Sequence, residues 1–426
     1  MADKKNVPMI RFSGFDHEWD KKQFDAVFDM ISNNTLSRDN LNYVGGSTQN
    51  VHYGDILTVF GEYVDVNDIK LPFLNDEEVA EKFHNSTLKD GDIVIADTAE
   101  DDVVGKCIEI GNIGERKIVA GLHTIPCRPK EKFASKYMGY YLNSDAYHHK
   151  LLPLMQGVKV IAISKTGIRG TELVLTNDYQ EQEKIGVFLS LLDEKIKQTE
   201  EKISKIKLLK QSMLIKFFPK EGEKVPQIRF KGFKGDWEHR KITEVGTVFI
   251  GLVTTMTKHY TSEGHLLIRN SDIKDGYFEF DDAPIYLDKE FAEENASRMH
   301  QVGDVVTVHT GDVGTSAVIT EKEVNSIGFA TIVTRPNQRI IDSNYLATFL
   351  NTEQHKKWAV SISTGDGRTN YNLGDYVELI VPIPSLAEQI KSAEYIGNLN
   401  EMIDLCQQEL QKLKNIKSAC MKRMFV

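Results

Sequence analysis

From Ile185 onward, apolar side chains recur at spacings of four and three: Ile185, Leu189, Leu192, Ile196, then polar Thr199, then Ile203, Ile206, Leu209 and Met213. This is the seam of a coiled coil kept for about four heptads, and it predicts a long helix with one buried stripe. The same slots return near the C-terminus as Ser392, Ile396, Leu399, Ile403, Cys406, Leu410, Leu413, Ile416 and Cys420. Positions between them are rich in Lys, Glu and Gln, as a solvated helix face should be. Pro219 stops the first helix just past Phe217-Phe218, while the second runs almost to Val426. A seam this regular must be buried against another helix, and two copies of it predict that they pair with each other. Roughly 35 residues at ~1.5 Å each make a rod of about 50 Å.

The rest of the chain is also written twice. Pro8-Met-Ile-Arg-Phe-Ser-Gly-Phe15 with Trp19 recurs 218 positions on as Pro226-Gln-Ile-Arg-Phe-Lys-Gly-Phe233 with Trp237. Tyr141-Leu-Asn-Ser144 answers to Phe349-Leu-Asn-Thr352, and Gln182, Leu192, Glu194, Lys207 and Lys210 answer to Gln389, Leu399, Glu401, Lys414 and Lys417. Ends that match around diverging middles predict a constant frame holding two variable modules. Each module alternates short strand-like runs (Asp92 to Ala96, Asp304 to Val308, Glu378 to Val381) with Gly and Asn turns. Helical stretches follow, Lys136 to Leu151 and Tyr345 to Val360, which makes each module α/β.

Composition refines this picture only slightly. At 426 residues, 41% apolar and 27% charged, the chain has material for more than one core. Its net charge of −10 argues against a protein that coats DNA non-specifically, but DNA binding needs only local Lys and Arg. Cys107, Cys127, Cys406 and Cys420 form no CxxC pair, so small buried thiols and a reducing cytoplasm are expected. No apolar run reaches membrane-spanning length, and no secretory h-region follows the N-terminal lysines. There is no G-x-x-x-x-G-K-[ST] phosphate loop, no Asn-Pro-Pro-aromatic tetrad and no Gly-rich S-adenosylmethionine loop. His148-His149 and Asp101-Asp102 lack partners at metal-site spacing, and exposed polar residues are the expected reading. A binding protein is therefore favoured over an enzyme.

The ordered set of motifs resembles the specificity subunits of type I restriction–modification enzymes. Pro-x-Ile-Arg-Phe-x-Gly-Phe-x-x-x-Trp resembles the segment that begins each half of those subunits. Gly91-Asp92-Ile-Val and Gly303-Asp304-Val-Val look like the signature of their target-recognition domains. Pro382-Ile-Pro384, Glu388-Gln389 and the helix ending in Met424-Phe425 resemble their conserved region, which the first half repeats as Leu173-Val-Leu175, Glu181-Gln182 and Phe217-Phe218 without the prolines. The resemblance implies an α/β fold with two target-recognition domains, 1–180 and 220–388, separated by an antiparallel pair of coiled-coil helices, 181–219 and 389–426, about a pseudo-twofold axis. It further implies a non-catalytic subunit that reads a bipartite, asymmetric site in double-stranded DNA, one domain per half-site. Two methyltransferase subunits would dock on the helices and bring S-adenosylmethionine, while restriction subunits would bring ATP and Mg. The competing reading is a non-DNA coiled-coil scaffold.

Residue chemistry nominates contacts to DNA, because base edges are read by Arg, Lys, Asn and Gln, and phosphates also by Ser, Thr and Tyr. In the first module the candidates are Gln49, Asn50, His52, Tyr53, Lys159 and Lys165; in the second they are Arg269, Asn270, Lys274, Arg368, Thr369, Asn370 and Tyr371. Arg11 and Arg229 repeat in the frame, so they are expected to hold module to helix through an ion pair or a carbonyl contact.

Overall fold

A computed structural model of the chain describes residues 6–363 and 369–426. The two seam segments form helices of 38 residues each, Tyr179–Lys216 and Leu386–Arg423, about 57 Å long at ~1.5 Å per residue. The chain divides into two compact units, Met1–Glu200 with Gln408–Val426 and Glu201–Gln407. Each unit thus contains one module and a half of each long helix.

In the first unit the helix halves run antiparallel: Lys195 faces Glu409 at 3.5 Å, Glu200 faces Lys414 at 2.7 Å, and Asp193 faces Lys417 at 2.6 Å. In the second unit Phe217, next to the end of one helix, meets Tyr395 near the start of the other at 5.4 Å between ring centroids. Leu189, Ile203, Ile206, Ile396, Leu399 and Ile403 of the seam are buried, while Leu192, Ile196, Leu410 and Leu413 are partly buried. Polar Thr199 is buried too, its hydroxyl donating to the Lys195 carbonyl at 2.8 Å.

One seam assignment is corrected in both copies. Leu209 and Ile416 are 40% and 47% exposed, and the next residues, Lys210 and Lys417, turn inward instead, at 14% and 19% side-chain exposure. Strict alternation of four and three from Ile206 and Leu413 falls on those lysines. Choosing the apolar neighbour one position earlier broke the period, and a one-residue step rotates a side chain by about 100° around the helix.

Each module joins two main sheets. In the first unit, Phe28–Met30, Thr124–Pro129, Ile93–Ala96, Cys107–Gly111 and Tyr63–Asp65 lie side by side in that order, antiparallel except for the last pair. A second sheet orders Lys117–Ala120, Thr48–Val51, Phe73–Leu74 and Leu41–Asn42, its first pair parallel. The second unit repeats the plan with Gly246–Ile250, Ile332–Pro336, Val305–Thr307 and Ser316–Val318, beside Tyr260–Thr261, Tyr286–Leu287, His265–Arg269 and Ile327–Phe329. Near-continuous apolar strands such as Ile93–Ala96 are buried at every position because both sheet faces are covered.

The stretches read as single helices, Lys136 to Leu151 and Tyr345 to Val360, are each broken in two at an asparagine. Asn143 follows Tyr137–Leu142, and Asn351 follows Ser343–Leu350. Each amide brackets a neighbouring strand. Cys107 N–H donates to Asn143 Oδ1 at 3.0 Å while Asn143 Nδ2 donates back to the Cys107 carbonyl at 2.8 Å. Ser316 and Asn351 repeat the pair at 3.0 and 2.8 Å.

The frame residues close each core. Glu181 and Glu388 sit in the first turns of the long helices, where the dipole favours negative charge. Arg11 clasps Glu181 at 2.6 and 3.0 Å and donates to the His17 carbonyl at 2.7 Å; Arg229 clasps Glu388 at 2.6 and 2.7 Å and donates to the Gly235 carbonyl at 2.6 Å. The two arginines therefore make both contacts expected of them. Gln182 Oε1 accepts from Ala134 N–H, and Gln389 Oε1 from Asp342 N–H, so the neighbouring glutamines hold module backbone. Phe425 packs on Trp19, Tyr137 and Tyr141 in the first unit, as Phe218 packs on Trp237, Tyr345 and Phe349 in the second. One aromatic cage is built twice, each filled from the far end of a long helix.

Candidate nucleic-acid interface

The Gly-Asp signature is a structural latch beneath the loops. Gly91 and Gly303 take φ of +85° and +89°, a left-handed conformation that favours glycine. The following carboxylate is buried and receives a guanidinium. Arg128 donates to Asp92 at 2.9 and 2.6 Å, and Arg335 to Asp304 at 2.9 and 2.8 Å. Backbone N–H groups of Lys89 and Gln301 donate to the same carboxylates at 2.7 and 2.8 Å. Burial pushes the Asp92 carboxyl up despite these donors. Sequence reading found the aspartates but not the arginines; their own repetition 207 positions apart was the available signal.

In the first unit five segments converge, around Asn33, Tyr53, Asp97, His123 and Lys165. Thr98–Ala99 pairs with Ile161–Ala162. His123, at φ +55°, places its ring 3.3 Å from the Asp97 carboxylate and 3.3 Å from the Thr98 hydroxyl. Tyr53 packs edge-on against His123, with ring centroids 5.2 Å apart. Lys165 donates to Asn33 Oδ1 at 3.0 Å, and Asn33 Nδ2 to the Gly121 carbonyl at 3.2 Å. Lys159 stands exposed in the turn closed by Gln156 and Ala162. The structure thus brings Tyr53, Lys159 and Lys165 to one group of loops.

The other nominees of this module serve the scaffold. Asn50 is fully buried and accepts from Asn34 Nδ2 at 2.7 Å, so it lies beneath the surface that a base could reach. Gln49 Nε2 donates to the Leu71 carbonyl at 3.4 Å. His52 is buried and caps the helix Tyr53–Thr58, its Nδ1 accepting Gly54 N–H at 3.1 Å; burial, then the nearby Arg38, lowers its pKa.

The second unit builds the same convergence from different side chains. Thr310 bridges to Asn370 and donates to its Oδ1 at 2.9 Å. Asn270 Oδ1 accepts His309 N–H at 2.8 Å while its Nδ2 donates to the Ala330 carbonyl at 3.1 Å. Ala330, at φ +49°, takes the place that His123 holds in the first unit. Thr369 accepts Gly311 N–H at its carbonyl, which puts it in the same group. Tyr371 is fully buried between His355 and Trp358, so its ring belongs to the core and not to the loop surface. Arg269 is held by Asp272 and Asp281, at 2.8 and 2.9 Å, which raises its pKa and neutralises much of its charge. Lys274 donates to the Ser271 carbonyl at 2.8 Å, and Arg368 lies outside the described residues. Sequence reading missed Asn33, Asp97, Thr98, His123, His309 and Thr310. Thr98 and Thr310 were findable, each lying six residues past its Gly-Asp aspartate.

Three buried groups give the units opposite responses to acid. Burial raises the Glu109 carboxyl of the first unit to about 7, although Lys136 and Gly139 N–H groups donate to it. Its native form keeps a proton that the unfolded chain loses, so that stabilisation is complete below pH 4.5 and is lost as pH rises through 7. Burial lowers His300 and His355 of the second unit to about 4, so their contribution is present above 6.5 and lost as pH falls toward 4. Moving from pH 7.5 to 5 is expected to strengthen the first unit by about 2 kcal/mol and weaken the second by about 2 kcal/mol per histidine. Urea unfolding at both pH values, resolved by proteolysis mapped to each unit, checks this; a parallel response of the two units would contradict it.

Among the described residues there is no cluster able to hold a metal ion and no helix long and apolar enough to cross a membrane. Comparison with known proteins gives consistent matches. Residues 234–415 match the family described as type I restriction modification DNA specificity domain. The type I restriction enzyme StySPI specificity subunit of Salmonella potsdam is 25% identical over 186 residues, which span 42% of this chain and 40% of that one. This chain therefore matches about two fifths of that relative's length. The S subunit of a type I restriction-modification system from M. genitalium has the same fold, with a TM-score of 0.58 at 14% identity over 99% of both chains. A structure described as underlying complex assembly and conformational transition of the type I R-M system superposes with a TM-score of 0.56 at 17% identity, over 95% of this chain and 96% of that one. The second half of the chain thus matches the type I restriction modification DNA specificity domain, and nearly its whole length shares the fold of type I S-subunit structures.

Proposed function

We propose that this chain is the non-catalytic DNA-specificity subunit of a type I restriction–modification complex, reading a bipartite, asymmetric site with one unit per half. The observation that carries this reading is one scaffold built twice with different side chains on its loops. His123, Asp97, Tyr53 and Lys165 meet in one unit, and Asn270, Thr310, Thr369 and Asn370 in the other. A conserved support under divergent polar loops is what two readers of different base sequences require. In this reading the long helices, to which both units contribute, set the half-site separation that linked readers need. Exposed Val187 and Leu191 on the helices of the first unit, and Leu208, Met402 and Leu405 on those of the second, are apolar side chains that a docked protein would cover. Two methyltransferase subunits are the partners that fit, supplying S-adenosylmethionine, with ATP and Mg carried by restriction subunits.

The test is the salt dependence of DNA binding by the chain assembled with its methyltransferase subunits. Lys159→Ala and Lys165→Ala are each expected to weaken binding and to reduce the salt slope by about 1 if the lysine meets a phosphate. Affinity and slope untouched by both would favour a scaffold that does not bind DNA.

A further inference from the structure

We infer that Lys417 is a register key, fixing both how the long helices pair and how the first module seats on them. A lysine in a coiled-coil seam is costly unless its charge is met, so it favours the one alignment that meets it. Here the match is threefold. The Lys417 ammonium lies 2.9 Å from both Glu62 oxygens, 2.6 Å from Asp193 Oδ1, and 5.7 Å above the Tyr140 ring. Asp193 is on the other helix and also accepts the Tyr140 hydroxyl at 2.6 Å. Glu62 belongs to the module, and its carbonyl accepts Glu109 N–H at 2.9 Å, which ties the key to the central sheet.

A slip of one heptad, about 10 Å along the helix, would carry Lys417 away from Asp193 while leaving the ammonium in the seam. The seam lysine thereby disfavours misaligned pairing as well as supporting the right one. Lys210 repeats the device more weakly in the second unit. It meets Asp275 at 3.0 Å, and Asn400 stands where the repeat of Asp193 would fall, beside a cavity of about 370 Å³. One carboxylate thus serves where the first unit has two.

The test uses the full chain without DNA, so its failure leaves the reading of function in place. Zero-length carbodiimide cross-linking with mass spectrometry reports register through Lys195–Glu409 and Glu200–Lys414, and hydrogen exchange reports the 58–66 segment. Lys417→Met is expected to weaken the Lys195–Glu409 and Glu200–Lys414 links and to speed exchange at 58–66 about tenfold. Lys417→Arg should restore the original links. Glu62→Gln should speed exchange at 58–66 while leaving the helix links in place, and it decides the module contact alone if Lys417→Met fails to fold. Unchanged links in Lys417→Met, or unchanged exchange in Glu62→Gln, would overturn the inference.

Discussion

Replacing Asp304 by Ala is expected to destabilise the second unit by about 3 kcal/mol, the scale set by stranding the partner of a buried ion pair. The carboxylate is 1% exposed and holds Arg335 through two hydrogen bonds. Without it the guanidinium loses its orientation, its hold on the Met299 carbonyl weakens, and Gln301 N–H is left without its acceptor. Arg335 is 32% exposed and can turn partly to water, which keeps the loss below the upper end of the range. Asp92→Ala should act likewise on the first unit, since Arg128 holds the Thr87 carbonyl as Arg335 holds that of Met299. In a unit of about 200 residues this corresponds to a fall of roughly 6–12 °C in the unfolding midpoint. Because the chain has two units, the midpoint must be resolved by unit, for example by proteolysis during a thermal ramp. Asp304→Ala should loosen the second unit and spare the first, and Asp92→Ala the reverse. A loss below about 1 kcal/mol would show that the latch is surface decoration.

Much of this architecture was legible in the chain. The repeated Arg-Phe-x-Gly-Phe segments marked Arg11 and Arg229 as holding module to helix, because repetition in a frame signals a shared contact, while their partners Glu181 and Glu388 come from the structure. The seam located the paired helices, because burial of a stripe is a local periodic property. Features set by distant contacts were not legible. The helix breaks at Asn143 and Asn351 exist because each amide satisfies a strand edge 35 or 36 residues away. Lys210 and Lys417 looked like solvated positions, since nothing local announces Asp275 or Glu62. Asn50 and Tyr371 were nominated for their polarity, yet the Asn34 amide and the rings of His355 and Trp358 draw them inside. The left-handed backbone shared by His123 and Ala330 has no common residue type to betray it.

The second large effect concerns which bases are read. If each unit carries its own half of the recognition, its loops can be exchanged without disturbing the other unit, because the Glu-Gln clasps and aromatic cages that close each core lie largely in the frame. Exchanging residues 20–180 for a module of different loop chemistry should therefore rewrite one half-site completely. The other half-site should persist, and so should the gap between them, since the helices remain as they were.

Methylome sequencing of cells carrying that exchange, together with the methyltransferase and restriction subunits proposed as partners, tests the central claim most directly. The expected outcome is a modified motif with one half replaced, the other half retained and an unaltered spacing. A motif in which both halves change, or neither does, would contradict the division of recognition between two units.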